Sequence, residues 1–398
     1  MNRRRFLASV ASAGALGALG SRRLRAQAPS DALSDDEILR RIDLHRPSRL
    51  AKLPSGLRDR VGATHTSGNY RLTDKPFLTE GAEKLIELGT RVAKFWFIPG
   101  SIARSYPYGH RWPECRTLAD LVRSEEFQRV FTLPFTTVFL EAHDSAGHGW
   151  PGTDGPESYY TAIEEEMHDA AAALIRTYRD RPVTVVLQHW EGDWMLRGRA
   201  GETWETVPGD AKLRCARMTR WLAARQKGVA KARAAAPAGT ACRILHAAEV
   251  NRVLDGAKGV PTVTRDVLPQ VELDLVSYSC YDAMNEPVRL WRALEEIRAY
   301  CRTGPVLGPR AVCVGEVGIP ENERPQGIAE FWDAAFGVFF ALEIPWVVQW
   351  ELYCNELRDA VKPPERPVKD PALVRGFWLV RPDGSLSETG RIFEKLWS

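Results

Sequence analysis

The chain is 398 residues long, 44% apolar and 26% charged. Those proportions exclude a disordered or fibrous protein and leave ample length to bury a large core. The formal net charge of +3 comes from residues 1–28, whose six arginines (Arg3, Arg4, Arg5, Arg22, Arg23 and Arg25) face no acidic residue; the rest carries 48 basic against 51 acidic side chains and offers no dense basic face for nucleic acid.

Residues 1–28 begin Met-Asn-Arg-Arg-Arg-Phe-Leu, continue through a weakly apolar Ala/Gly/Leu run and end in Ala26-Gln27-Ala28. A basic start, a short apolar run and a small-x-small site are the parts of a cleavable secretory signal. Arg3-Arg4-x-Phe6-Leu7 resembles the twin-arginine export motif. The run from Phe6 to Gly20 is shorter than the roughly 20 residues of a spanning helix, so no stable membrane insertion is expected after cleavage. The resemblance implies the twin-arginine export machinery as a partner, folding before export, and a periplasmic or secreted destination. The seven cysteines are odd in number and scattered, with no C-x-x-C pair, and read as small buried hydrophobes rather than a zinc or redox site.

Residues 29–59 are polar and basic, an N-terminal extension with one helix around Ser34 to Leu44. Beyond it, short apolar runs alternate with amphipathic ones. The strand candidates, in order, are Arg60–Thr64, Arg91–Phe97, Thr136–Glu141, Val183–Gln188, Arg243–Ala247, Leu273–Tyr278, Ala311–Val314 and Trp346–Gln349. Their continuous apolar character suits strands covered on both faces, as in parallel sheets. Helices are expected over Glu80–Leu88, Thr117–Glu126, Ser158–Tyr178, Ala211–Ala236, Val288–Tyr300, Gly327–Leu342 and Glu388–Trp397. In Ser158–Tyr178, Ile163, Met167, Ala170, Ala171 and Leu174 share one face, the pattern of a helix on the outside of a sheet. Eight strand–helix alternations predict the α/β class and one (β/α)8 TIM barrel over residues 60–398. An open doubly wound sheet would usually carry a Gly-rich phosphate turn after its first strand, and Gly62-Ala63-Thr64-His65-Thr66 is not one.

Such barrels place chemistry at the C-terminal ends of their strands. Those ends are Glu141-Ala142-His143 on the third strand and His189-Trp190-Glu191-Gly192-Asp193 on the fourth. They are His246 through Glu249 to Asn251 on the fifth and Ser279-Cys280-Tyr281 on the sixth. The seventh ends in Gly315-Glu316-Val317-Gly318 and the eighth in Gln349-Trp350-Glu351. Glycines beside Glu316 suit close approach of a ligand. The long loops over about residues 98–116, 142–156 and 192–210 suit cleft walls, and Trp112, Trp150, Trp190, Trp194 and Trp204 are candidates for stacking on sugars.

A Glu closing strand four, a Glu closing strand seven, a Trp closing strand eight and a Tyr on strand six resemble clan A glycoside hydrolases, the superfamily that includes the family-five cellulases and many β-glycosidases. The resemblance covers nearly the whole chain after the signal. It implies a retaining, cofactor-free hydrolase of a plant or microbial glycan, with Glu191 as acid/base and Glu316 as nucleophile. It further implies that Tyr281 hydrogen-bonds and orients Glu316 and that Trp350 forms the floor under the sugar. Two positions depart from the family pattern: Trp190 stands where Asn usually contacts the sugar 2-hydroxyl, and Ser279 where His is common. The 2-hydroxyl contact is then expected from Asn251 or His189, with His143 and Glu249 as further sugar-binding candidates. Two other readings stay open at this point: a carbohydrate-binding barrel without catalysis, and a metal-dependent hydrolase built on His143, His189, His246 and Glu141. These histidines lack the tight spacing of a ligand motif, so no metal is expected.

Overall fold

In the computed structural model, eight parallel strands close on one another. They are β1 (Val61–His65), β2 (Val92–Phe97), β3 (Thr137–Ala142), β4 (Thr184–Gln188), β5 (Arg243–Val250), β6 (Leu275–Ser279), β7 (Val312–Val317) and β8 (Val347–Gln349). Each pairs with its neighbours in sequence, and β8 returns to β1 through Val61↔Val347 and Ala63↔Gln349. The structure describes residues 33–109, 111–143, 155–304, 306–359 and 362–398. Residues 1–28, read above as an export signal, and most of the loop after β3 lie outside them, and residues from Leu33 onward form one unit. Among the described residues, no helix is long and apolar enough to cross a membrane.

Side chains alternate across a strand, and this alternation divides the protein into two cores. Val92, Phe139, Val186, Leu245, Leu275, Cys313, Trp346 and Val348 point inward and fill the lower lumen. Residues of the opposite parity, such as Ala93, Val138, Val185, Ile244 and Val276, face out into the larger cluster shared with the helices. Ile163, Met167, Ala170, Ala171 and Leu174 of the helix Glu157–Tyr178 are all fully buried there.

The eight expected strands and seven expected helices are present, with differences in one helix and at the ends of two strands, since β7 runs to Val317 rather than Val314. The helix expected over Thr117–Glu126 is two helices, Leu118–Arg123 and Glu125–Thr132. Ser124 between them is extended (ψ 144°) and its hydroxyl accepts the amide of Phe127 at 3.4 Å, so a capping residue inside the periodic pattern ends one helix and starts the next. Strand β5 runs three residues past the expected Ala247, to Val250, which carries Glu249 into the lumen.

The helix Asp35–His45 is capped by Ser34 and buries Ile38 and Ile42 against the helices Pro287–Tyr300 and Ile328–Ala341. At the other terminus, the helix Glu388–Trp397 ends with Trp397 Nε1 donating to the carbonyl of Val61 at 2.8 Å.

Candidate active site

Two residues up from Val92, Phe139, Val186, Ala247 and Leu275 of the apolar lumen, the inward side chains become polar: Lys94 on β2, Glu141 on β3, Gln188 on β4, Glu249 on β5 and Ser277 on β6, all fully buried. On β7 the same level is Gly315, and the register shifts there so that Glu316 sits opposite Ser279. A Cβ on Gly315 would lie 1.8 Å from Ser277 Oγ and 3.2 Å from Glu249 Oε1, and one on Gly318 would lie 2.3 Å from the Trp350 carbonyl oxygen. These glycines therefore make room for protein neighbours, which corrects the expectation that they open space for a ligand.

Lys94 organises this layer. Its Nζ lies 2.9 Å from Glu141 Oε2, 3.2 Å from Glu316 Oε2, 3.3 Å from Glu249 Oε1 and 3.4 Å from the Gly315 carbonyl oxygen. Burial opposes the ammonium charge, but the carboxylates of Glu141, Glu249 and Glu316 outweigh it and raise the Lys94 pKa well above its ordinary value. Nothing in the motif reading pointed to Lys94. The available signal was a lone lysine inside the apolar run Val92-Ala93-Lys94-Phe95-Trp96, since a fully buried lysine must meet carboxylates.

Glu249 accepts from Gln188 Nε2 (3.0 Å), Ser277 Oγ (3.4 Å) and the backbone amide of Glu191 (2.9 Å) in addition to Lys94. It is committed to the protein, and through the Glu191 amide it anchors the end of β4. Glu191 itself has φ +21°, in the left-handed region, and initiates the short helix Gly192–Arg197. Strain of that kind at a carboxylate is a mark of functional sites.

The Glu191 carboxyl feels the charge of Glu316. Burial, then the Glu316 carboxylate, then Glu249, raise the Glu191 pKa well above the ordinary carboxylate value. Burial also pushes Glu316 up to about 8, with Lys94 opposing and Glu249 and Glu141 reinforcing. Glu141 rises to about 7, from burial opposed by Lys94. The two candidate catalytic groups differ in one respect: Glu316 bonds a cation, whereas the Glu191 carboxyl accepts no hydrogen bond among the described residues.

Tyr281 lies beside both carboxyls, and burial and then the charges of Glu316 and Glu191 raise its pKa. Its buried hydroxyl has no hydrogen-bond partner, so the expected bond to Glu316 is absent and Lys94 makes that contact instead. Trp350 is buried, and its Nε1 donates to Glu356 Oε1 at 3.3 Å. Glu356 in turn pairs with Arg375, which grips Glu323 at 2.7 and 2.8 Å. Trp190 is half-buried, with its amide 3.3 Å from His143 Nε2.

His143 and His189 serve the backbone, and His246 meets side chains. His143 Nε2 accepts that Trp190 amide, and burial lowers its pKa to about 4. His189 Nε2 accepts the amide of Glu249 at 3.2 Å while Nδ1 contacts the Trp190 carbonyl at 3.0 Å; burial holds this ring neutral, at about 3. His246 Nε2 accepts from Arg225 Nε at 3.2 Å. Asn251 Oδ1 accepts the amide of Asp193, whose carboxylate accepts the amides of Asn251, Arg252 and Val263 at 2.8–3.0 Å. His143, His189, Asn251 and Glu249, expected on the sugar, thus hold the loops after β4 and β5. Among the described residues, no cluster of His, Cys, Asp and Glu has metal-holding geometry.

The loop tryptophans divide similarly. Trp194 lies under Arg197 and Arg252, Trp204 under Arg197 and Arg214, and Trp112 packs against Tyr106 and Phe127. Trp150 falls outside the described residues.

No protein-family model and no curated protein sequence matches the chain. Among solved structures it is similar to a GH5_18 protein from Streptomyces cattleya in complex with GlcNAc, at 17% identity and a TM-score of 0.49 over 85% of this chain and 80% of that one. It is also similar to a GH5-4 broad-specificity endoglucanase from Bacteroides salanitronis, at 10% identity and a TM-score of 0.48 over 86% and 92% of the two chains. A β-glycosidase from Pyrococcus horikoshii is similar at 14% identity and a TM-score of 0.45, over 75% of this chain and 85% of that one.

Proposed function

We propose that this chain is an exported, retaining glycoside hydrolase in which Glu316 attacks the anomeric carbon and Glu191 protonates the departing oxygen. The observation that carries the reading is the unequal treatment of two neighbouring carboxyls. Lys94 Nζ, 3.2 Å from Glu316 Oε2, favours the ionised form there. Glu191 has no bonded cation and is buried beside Glu316, which favours the protonated form. A nucleophile and an acid need those opposite states at the same pH.

In the first step the C–O bond to the aglycone breaks, the leaving oxygen takes the Glu191 proton, and a glycosyl ester forms on Glu316. In the second, Glu191, now ionised, removes a proton from water, whose oxygen displaces Glu316 and restores both carboxyls. Two inversions leave the anomeric configuration unchanged. Trp350, held by Glu356, is the proposed sugar platform and Tyr281 a hydrogen-bond donor to the Glu316 carboxylate once substrate is bound.

The test is a panel of nitrophenyl glycosides and polysaccharides with the signal-free chain. Hydrolysis with retained configuration is expected, together with loss of nearly all turnover in Glu316→Gln. An activated 2-fluoro glycoside should leave its sugar on the peptide that contains Glu316. Undiminished turnover by Glu316→Gln refutes the assignment. For export, replacement of Arg3 and Arg4 by Lys should keep the chain in the cytoplasmic fraction; unchanged export argues against the twin-arginine route.

A further inference from the structure

The assignment of Glu191 and Glu316 to glycoside cleavage leaves open which sugars the site accepts, and the charge and hydrogen-bond balance around the pair bears on that, on the assumption that this assignment holds. Lys94 is the cation in contact with the carboxyl layer, and it has nothing left to give. Its three protons already face four oxygens, those of Glu141, Glu249, Glu316 and Gly315.

Polar atoms near the pair are also left without partners. Gln188 Oε1 and Gln349 Oε1 are buried acceptors without a hydrogen-bond partner; Glu351 Oε2 is buried and unpartnered too, and since burial raises its carboxyl well above the ordinary value it can donate as well as accept. Ser279 Oγ, fully buried opposite Glu316 in the strand register, and Tyr281 Oη have no partner either, and each can accept or donate. Against these stand two N–H donors without a partner, Trp96 Nε1 at the inward end of β2 and Gln349 Nε2 at the end of β8. Buried acceptors left unpaired are costly, so a ligand that fits must bring donors. Hydroxyl and ammonium groups do so; a carboxylate or sulfate brings acceptors and a negative charge up to a layer of three glutamates, Glu141, Glu249 and Glu316.

We propose that the sugar unit held between Glu191 and Glu316 is uncharged or carries an ammonium group, and that uronic acids and sulfated sugars are rejected.

The test compares nitrophenyl glycosides that differ at one position: the glucoside, the 2-amino-2-deoxyglucoside and the glucuronide, with the galacto and manno series in parallel and both anomers. In every series that is cleaved, kcat/KM for the uronide should fall at least about a hundredfold below that of the neutral or amino sugar. A uronide cleaved as well as its neutral counterpart overturns the proposal. A second arm works without turnover. Cationic piperidine iminosugars of the same configurations and their 6-carboxylates are titrated into the protein by calorimetry. If no glycoside is cleaved but the carboxylates bind at least about tenfold more weakly, the hydrolytic reading fails and the charge selectivity stands. Equal or tighter binding of the carboxylates, or no binding of either, overturns the selectivity.

Discussion

Lys94 and Glu316 stand 222 residues apart in the chain and 3.2 Å apart across the barrel, with both side chains shut away from solvent. The contact makes Glu316 different from Glu191, its neighbour in charge and in chemistry, and the pH and stability behaviour of the protein should follow from it.

The pH dependence of kcat/KM should be displaced toward alkaline values. Attack needs Glu316 ionised, so the rate rises as pH climbs through the Glu316 value, which burial pushes up to about 8. Proton donation needs Glu191 neutral, so the rate falls as pH passes the Glu191 value, which burial and then the Glu316 charge raise well above the ordinary carboxylate value. Initial rates across the pH range should show an ascending limb above the ordinary carboxylate region. An optimum near about pH 5, where unperturbed carboxylates have just titrated, contradicts the arrangement.

Replacing Glu191 with Gln removes the acid while keeping the shape. Turnover of an alkyl glycoside should drop by about 10²–10⁴-fold, the usual worth of general acid catalysis. A dinitrophenyl glycoside, whose leaving group departs without a proton, should lose much less in the first step and should show a burst of phenol release. Equal losses on both substrates place the proton donor elsewhere.

Lys94→Met should destabilise the fold by about 3–5 kcal/mol at neutral pH, because it strands buried carboxylates without their cation. The loss should shrink in acid. Glu141 and Glu316 have folded pKa values raised to about 7 and about 8. Their contribution is fully present below the unfolded carboxylate value and is lost as pH rises through those folded values. Denaturant melts of both proteins below and above neutrality measure the difference, and a penalty independent of pH speaks against a charge-based role for Lys94.

Gly315→Ala should cost about 1–3 kcal/mol by overpacking, since its new methyl would lie 1.8 Å from Ser277 Oγ. Adding Ser277→Ala removes the offending hydroxyl, so the double variant should be more stable than the sum of the two single losses allows. Additive losses indicate that the strain falls on the Glu249 carboxylate instead.

The barrel was legible because its signal is local. Each strand is a short apolar run of β-formers between amphipathic helices, and the boundaries agree with the structure to within three residues at β5 and β7 and more closely in β1 to β4. Strand ends also singled out Glu191, Glu316, Tyr281 and Trp350 as candidates, because a parallel barrel gathers those ends on one rim. The roles of the polar residues beside them were not legible. Whether His189 or Asn251 reaches a ligand or a backbone amide depends on how the loops after β4 and β5 fold against each other, and they meet through Asp193.

By itself, the sequence determined the eight alternations, the inward or outward parity of each strand residue, and the supply of carboxylates at the strand ends, all of which depend on spacing of a few residues. Tertiary structure alone decided which charges touch. The lysine in β2 and the glutamates in β3, β5 and β7 are brought to one level of the lumen only by the stagger of the closed barrel, and the protonation state of each carboxyl depends on those distances and on burial that no local pattern encodes.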